Sequence, residues 1–61
     1  MKHIYRGFSI LYYPSDNWLA FLYPPESTDA MKEIVRATRS EGEEVLLHRA
    51  RARIDAEIDG D

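Results

Sequence analysis

The sequence predicts an α+β fold, a three-stranded antiparallel β-meander packed against one C-terminal α-helix in the order β-β-β-α. Three observations carry this expectation. All seven aromatic side chains fall within residues 1–23, in two runs rich in β-branched and aromatic types. Those runs are separated by Pro14, Ser15, Asp16 and Asn17, a segment of turn formers. The remainder holds no aromatic, is densely charged, and ends in apolar residues repeated at helical spacing.

The first run, residues 4–13, reads as one strand. Alternation sets Ile4, Phe8, Ile10 and Tyr12 on one face and Tyr5, Leu11 and Tyr13 on the other. Gly7 inside it marks a bulge or a close backbone approach. Residues 14–17 close a hairpin with the second strand, residues 18–23, where Trp18, Ala20 and Leu22 oppose Leu19, Phe21 and Tyr23, and neither side is polar. Pro24 and Pro25 end the pairing because proline offers no ladder donor, and a polar loop runs to about residue 29.

Residues 31–38 allow two readings. As a strand, Ile34 and Arg36 oppose Val35 and Ala37; as a helix capped by Ser27 or Thr28, Ala30, Met31, Ile34, Val35 and Thr38 align, for a β-β-α-α layout. The strand is favoured, since a two-stranded hairpin is marginal alone. The final helix starts at a capping box of Ser40 with Glu43, with Thr38 and Glu41 as a second register. Leu46, Leu47, Ala50, Ile54 and Ile58 form its core stripe, Val45, Ala52 and Ala56 a small-residue stripe opposite, and Gly60 its stop. Arg51 with Asp55 and Arg53 with Glu57 are four-apart pairs on the wet side.

A chain of 61 residues makes a single compact domain, residues 1–61, with one small core. Cysteine is absent, so neither disulfide nor thiolate metal site can staple it. No apolar stretch is long enough to span a bilayer and the N-terminus lacks a secretory pattern, so a cytoplasmic location is expected. The net charge of −3 is uneven: residues 1–23 carry two basic and one acidic group, residues 24–61 six basic and ten acidic. That balance argues against gripping a phosphate backbone, which needs a contiguous basic surface.

Chemistry finds no foothold. His3 and His48 stand apart in sequence, and Glu44 with His48 supplies two ligands where a metal site needs more. The serines fall in strand, turn, loop and cap, none beside an activating histidine and acid. Arg49, Arg51 and Arg53 spread over a broad helical arc. No enzyme, cofactor or metal is therefore expected.

The hairpin is apolar on both sides and a single helix covers one. Tyr5, Leu11 and Tyr13, together with Trp18, are the expected anchors for a protein partner, and the acidic helix end with Asp55, Glu57, Asp59 and Asp61 is expected to steer a basic one, such as a nucleic-acid-processing enzyme. A self-associating structural protein, pairing as a homodimer through a sheet edge or the uncovered face, is the alternative, with a nucleic-acid reader after it.

The segments Trp18-Leu19-Ala20-Phe21 and Tyr23-Pro24-Pro25, followed by Thr38 through Val45 with Glu41, Glu43 and Glu44, resemble the HicB-like antitoxins over residues 4–58. The glycine that follows the proline in that family is absent here. The resemblance implies a truncated ribonuclease-H-like sheet and helix that neutralises a small toxin ribonuclease, without an appended DNA-binding segment. In size, acidity and lack of cysteine the chain is also similar to phage-encoded inhibitors, including anti-CRISPR proteins, which occupy basic surfaces of larger machines. An inhibitor or antitoxin is thus the expected function.

Overall fold

A two-residue turn at Arg6 and Gly7 divides the first apolar run into two strands. Both residues have positive φ, 49° and 86°, as a type I′ hairpin requires, and its twist matches that of the flanking strands. Glycine suits this positive φ, and a Cβ at Gly7 would also crowd Pro25 Cγ at 3.1 Å. The computed structural model, which describes residues 1–60, accordingly has β1 (Lys2–Tyr5), β2 (Phe8–Pro14), β3 (Trp18–Tyr23), β4 (Ile34–Ala37) and α1 (Gly42–Asp59). The α+β class, the antiparallel sheet and the C-terminal helix stand, but the sheet has four strands in the order β1-β2-β3-β4 rather than three. Asp61 lies outside the described residues.

The hairpin also reverses the parity of the first strand. In a continuous strand residues 4 and 8 share a face. Across the turn Tyr5 is the direct partner of Phe8, so Tyr5 and His3 join Phe8 and Ile10, while Ile4 moves to the face of Ser9 and Leu11. The expected placement of Ile4 with Phe8, Ile10 and Tyr12, and of Tyr5 with Leu11 and Tyr13, is corrected accordingly.

Residues 31–38 contain a strand. β4 pairs Ile34 with Phe21 and Ala37 with Trp18, completing the sheet on its far edge. Before it, Pro24 and Pro25 open a turn in which Ser27 N–H donates to the Pro24 carbonyl and Glu26 takes a φ of 61°, a position that suits glycine. Met31 N–H then donates to the Leu22 carbonyl at 2.7 Å and turns Met31 toward the core.

α1 covers one side of this sheet. Ile10, Leu22, Leu46 and Ile54 are fully enclosed, each contributing on the order of 1.5–3 kcal/mol of burial, and Phe8, Tyr12, Ala20, Ala37 and Ala50 complete the core. Of the expected small-residue stripe, Val45 packs against this core and Ala56 is half-buried, while Ala52 is exposed. Ile58 is 43% exposed at the helix end.

Thr38 and Glu41, the second of the two expected registers, bond to each other in the turn just before α1, while the helix's own N-cap residue, Glu41, makes no side-chain cap hydrogen bond. Thr38 Oγ1 accepts from Glu41 N–H at 3.1 Å and Glu41 Oε1 accepts from Thr38 N–H at 2.8 Å, a reciprocal box around a single turn. Gly42, at φ 87°, then redirects the chain into α1. Glu43 is drawn off to Tyr12, so Ser40 and Glu43 do not form a box. Gly60 closes the helix in the left-handed conformation, its N–H donating to the Ala56 carbonyl at 3.0 Å.

Candidate functional site

The side of the sheet away from α1 carries three transverse rows. Lys2, Leu11, Phe21 and Ile34 are successive partners across all four strands; Tyr13, Leu19 and Arg36 cross β2 to β4; and Ile4, Ser9 and Tyr23 cross β1 to β3. Tyr13 stacks on its diagonal neighbour Phe21, with ring centroids 5.9 Å apart and planes inclined by 20°. Tyr13 is 45% exposed and Ile4 55%, with Leu11 and Ile34 close to two-fifths exposed. An apolar surface this continuous is a feature that soluble monomers seldom leave open without use.

Of the expected anchors, Leu11 and Tyr13 lie on this face. Tyr5 and Trp18 do not. Trp18 shares the helix side with Tyr12, whose ring centroid is 6.3 Å away. Tyr5 reaches across the edge of the core to the helix, and its hydroxyl donates to Asp55 Oδ1 at 2.9 Å and Oδ2 at 3.1 Å. The bond to this carboxylate, with desolvation, raises the Tyr5 pKa, and Arg6 followed by Tyr5 holds the Asp55 carboxyl below its usual range.

The acidic helix end is largely occupied by internal partners. Arg6 Nη1 lies 2.9 Å from Asp55 and 3.8 Å from Asp59, and Arg53 bridges Glu57 at 3.5 Å and Glu33 at 2.8 Å. The pair of Arg51 with Asp55 is therefore replaced by Arg6 with Asp55, because the hairpin turn brings Arg6 over the last turns of α1. Asp55, Glu57 and Asp59 belong to the helical layer, across the sheet from Leu11 and Tyr13.

Positive charge gathers on the open side instead. Lys2 and Arg36 project from it at opposite edges of the sheet. Among the described residues no carboxylate lies within ion-pair distance of either. Arg49, from the helix, is spent on a bidentate pair with Glu41 and a bond to the Arg36 carbonyl.

No concave pocket and no group of three or more metal-ligating side chains occurs among the described residues, and no described helix is long and apolar enough to cross a membrane. Phe21 and Ile34 complete the face; the alternation in β3 and β4 had placed both on one side of their strands, while the relation of β1 to this face required the turn at Arg6 and Gly7. Compared with protein-family models, curated proteins and solved structures, the chain matches none.

Proposed function

We propose that this protein is a non-enzymatic protein-binding module that acts as an inhibitor or antitoxin of a partner protein, docking through the open sheet face with Leu11 and Tyr13 as its anchors. One observation carries the reading: α1 encloses the centre of one apolar side of the sheet, with Ile10 and Leu22 fully buried, and no element among the described residues packs over the other, with its stacked Tyr13 and Phe21. Rigid aromatic and aliphatic groups on a flat, preformed platform supply contact area at little ordering cost, as binding hot spots do. The resemblance to the HicB-like antitoxins supports the inhibitory form of this role.

The reading is tested by affinity capture with the wild-type chain and with a Leu11→Ala/Tyr13→Ala double variant, followed by assay of the captured protein's activity. The variant keeps the wild-type circular dichroism spectrum, loses at least about tenfold in affinity, and no longer suppresses the partner's activity. Undiminished capture by the variant would refute the proposal.

A further inference from the structure

The covered face of the sheet shows what kind of element fits the open one. A single helix closes it, laying Leu46, Ala50 and Ile54 over the middle and presenting carboxylates to hydroxyls at the rim, Glu43 to Tyr12 at 2.8 Å and Asp55 to Tyr5 at 2.9 Å. Four strands spaced about 4.8 Å apart form a platform roughly 14 Å across, which one helix of about 10–12 Å diameter fills. The open face has the same span and an apolar middle of Leu11, Phe21 and Ile34. Its charges are of one sign: Lys2 at the β1 edge and Arg36 at the β4 edge, neither with a carboxylate in ion-pair distance among the described residues.

Resting on the reading of this face as a protein-docking surface, we infer that its occupant is an acidic amphipathic helix of the partner protein, its apolar stripe on Leu11, Phe21 and Ile34 and its flanking carboxylates on Lys2 and Arg36. The preference is the reverse of the basic partner that net charge alone suggests, because the acids at the end of α1, Asp55, Glu57 and Asp59, sit in the other layer and are paired there with Arg6 and Arg53. A second copy does not meet the requirement. Its own helix stripe is already buried, and apposing two open faces would set Lys2 and Arg36 against the same cations.

The test uses three synthetic helical peptides as long as α1, sharing one leucine stripe but flanked by Glu, Gln or Lys, and in a separate arm oligothymidylate. Each is titrated into the isotope-labelled full chain at low salt while the resonances of Leu11, Tyr13 and Ile34 are followed. The Glu peptide shifts all three and binds about tenfold more tightly than the Lys peptide, and added salt narrows the gap. In a Lys2→Glu/Arg36→Glu variant the order of the Glu and Lys peptides inverts; should that variant not fold, the salt titration and an Arg36→Gln variant, which weakens the Glu peptide selectively, take its place. Equal binding of the three peptides, or tighter binding of the Lys peptide, overturns the acidic helix while leaving protein docking intact. Silence of all three at the open face overturns both, and oligothymidylate binding there with the peptides silent assigns the face to single-stranded nucleic acid.

Discussion

The Tyr5 hydroxyl donates to both carboxylate oxygens of Asp55, at 2.9 and 3.1 Å, joining residues 50 positions apart in the chain. Through this contact and the adjacent Arg6 pair, the β1-β2 hairpin is tied to the last turns of α1. An edge strand of four residues is thereby held to the core by a side chain from each end of the protein.

Protonating Asp55 should loosen that tie. Its carboxyl is held below its ordinary value by Arg6 and then Tyr5, so its contribution to stability is complete above about pH 4 and is lost as pH falls through the lower folded value. The Tyr5 phenol behaves oppositely: its raised pKa leaves its contribution intact below about pH 10 and removes it as pH climbs through the folded value. Asp55→Asn should flatten the acid limb of a melting-temperature profile and Tyr5→Phe the alkaline limb. Unchanged limbs in both variants would show that the contact does not form.

A second acid-sensitive contact lies at the helix entry. Glu41 is held at about 2, against an ordinary 4.5, by bidentate bonding to Arg49 and by Thr38 N–H. Its stabilising effect is complete above about pH 4.5 and disappears as pH falls toward about 2. In Glu41→Gln the acid transition should sharpen toward that of the remaining carboxylates, and α1 amides near residue 42 should exchange faster. Equal exchange in the variant and the wild type would show that the Glu41 contacts with Thr38 and Arg49 do not hold the start of α1.

The two tight turns are expected to respond in opposite directions. Gly7→Ala forces a side chain to φ 86° and to within 3.1 Å of Pro25, and should cost about 1–2 kcal/mol in urea unfolding. Glu26→Gly relieves a side chain held at φ 61° and should raise stability by up to about 1 kcal/mol. A neutral Gly7→Ala would mean that the hairpin does not use this turn.

The two faces of the sheet should separate in mutational cost. Leu22→Ala leaves a cavity in the closed core and should lose about 2–5 kcal/mol. Leu11→Ala, one strand away on the open face and 38% exposed, should lose well under half as much. Comparable losses would show that the open face is covered in the isolated chain.

Much of the architecture was legible because it depends on local pattern. β3 follows from the apolar run of residues 18–23 bounded by turn formers, α1 from a stripe at helical spacing with Gly60 behind it, and β4 from a β-branched pair that completes a sheet. The turn at Arg6 and Gly7 was missed because arginine is a poor signal for a left-handed position, so the alternation was carried through it. That one turn changed the strand count and moved Tyr5 from the open face to the core edge.

By itself the sequence determined that this protein would have more aromatic and aliphatic surface near its amino end than one amphipathic helix can cover, since that is a matter of composition and period. Only the tertiary structure decided which side chains remain outside and which charges border them. Strand parity depends on where the chain reverses, and ion pairing depends on which residues far apart in sequence come within a few ångströms. Arg6 and Arg53 meet the acids of α1 in the helical layer, while Lys2 and Arg36 stay with the open sheet, so the folded molecule separates its charges in a way that its net charge conceals.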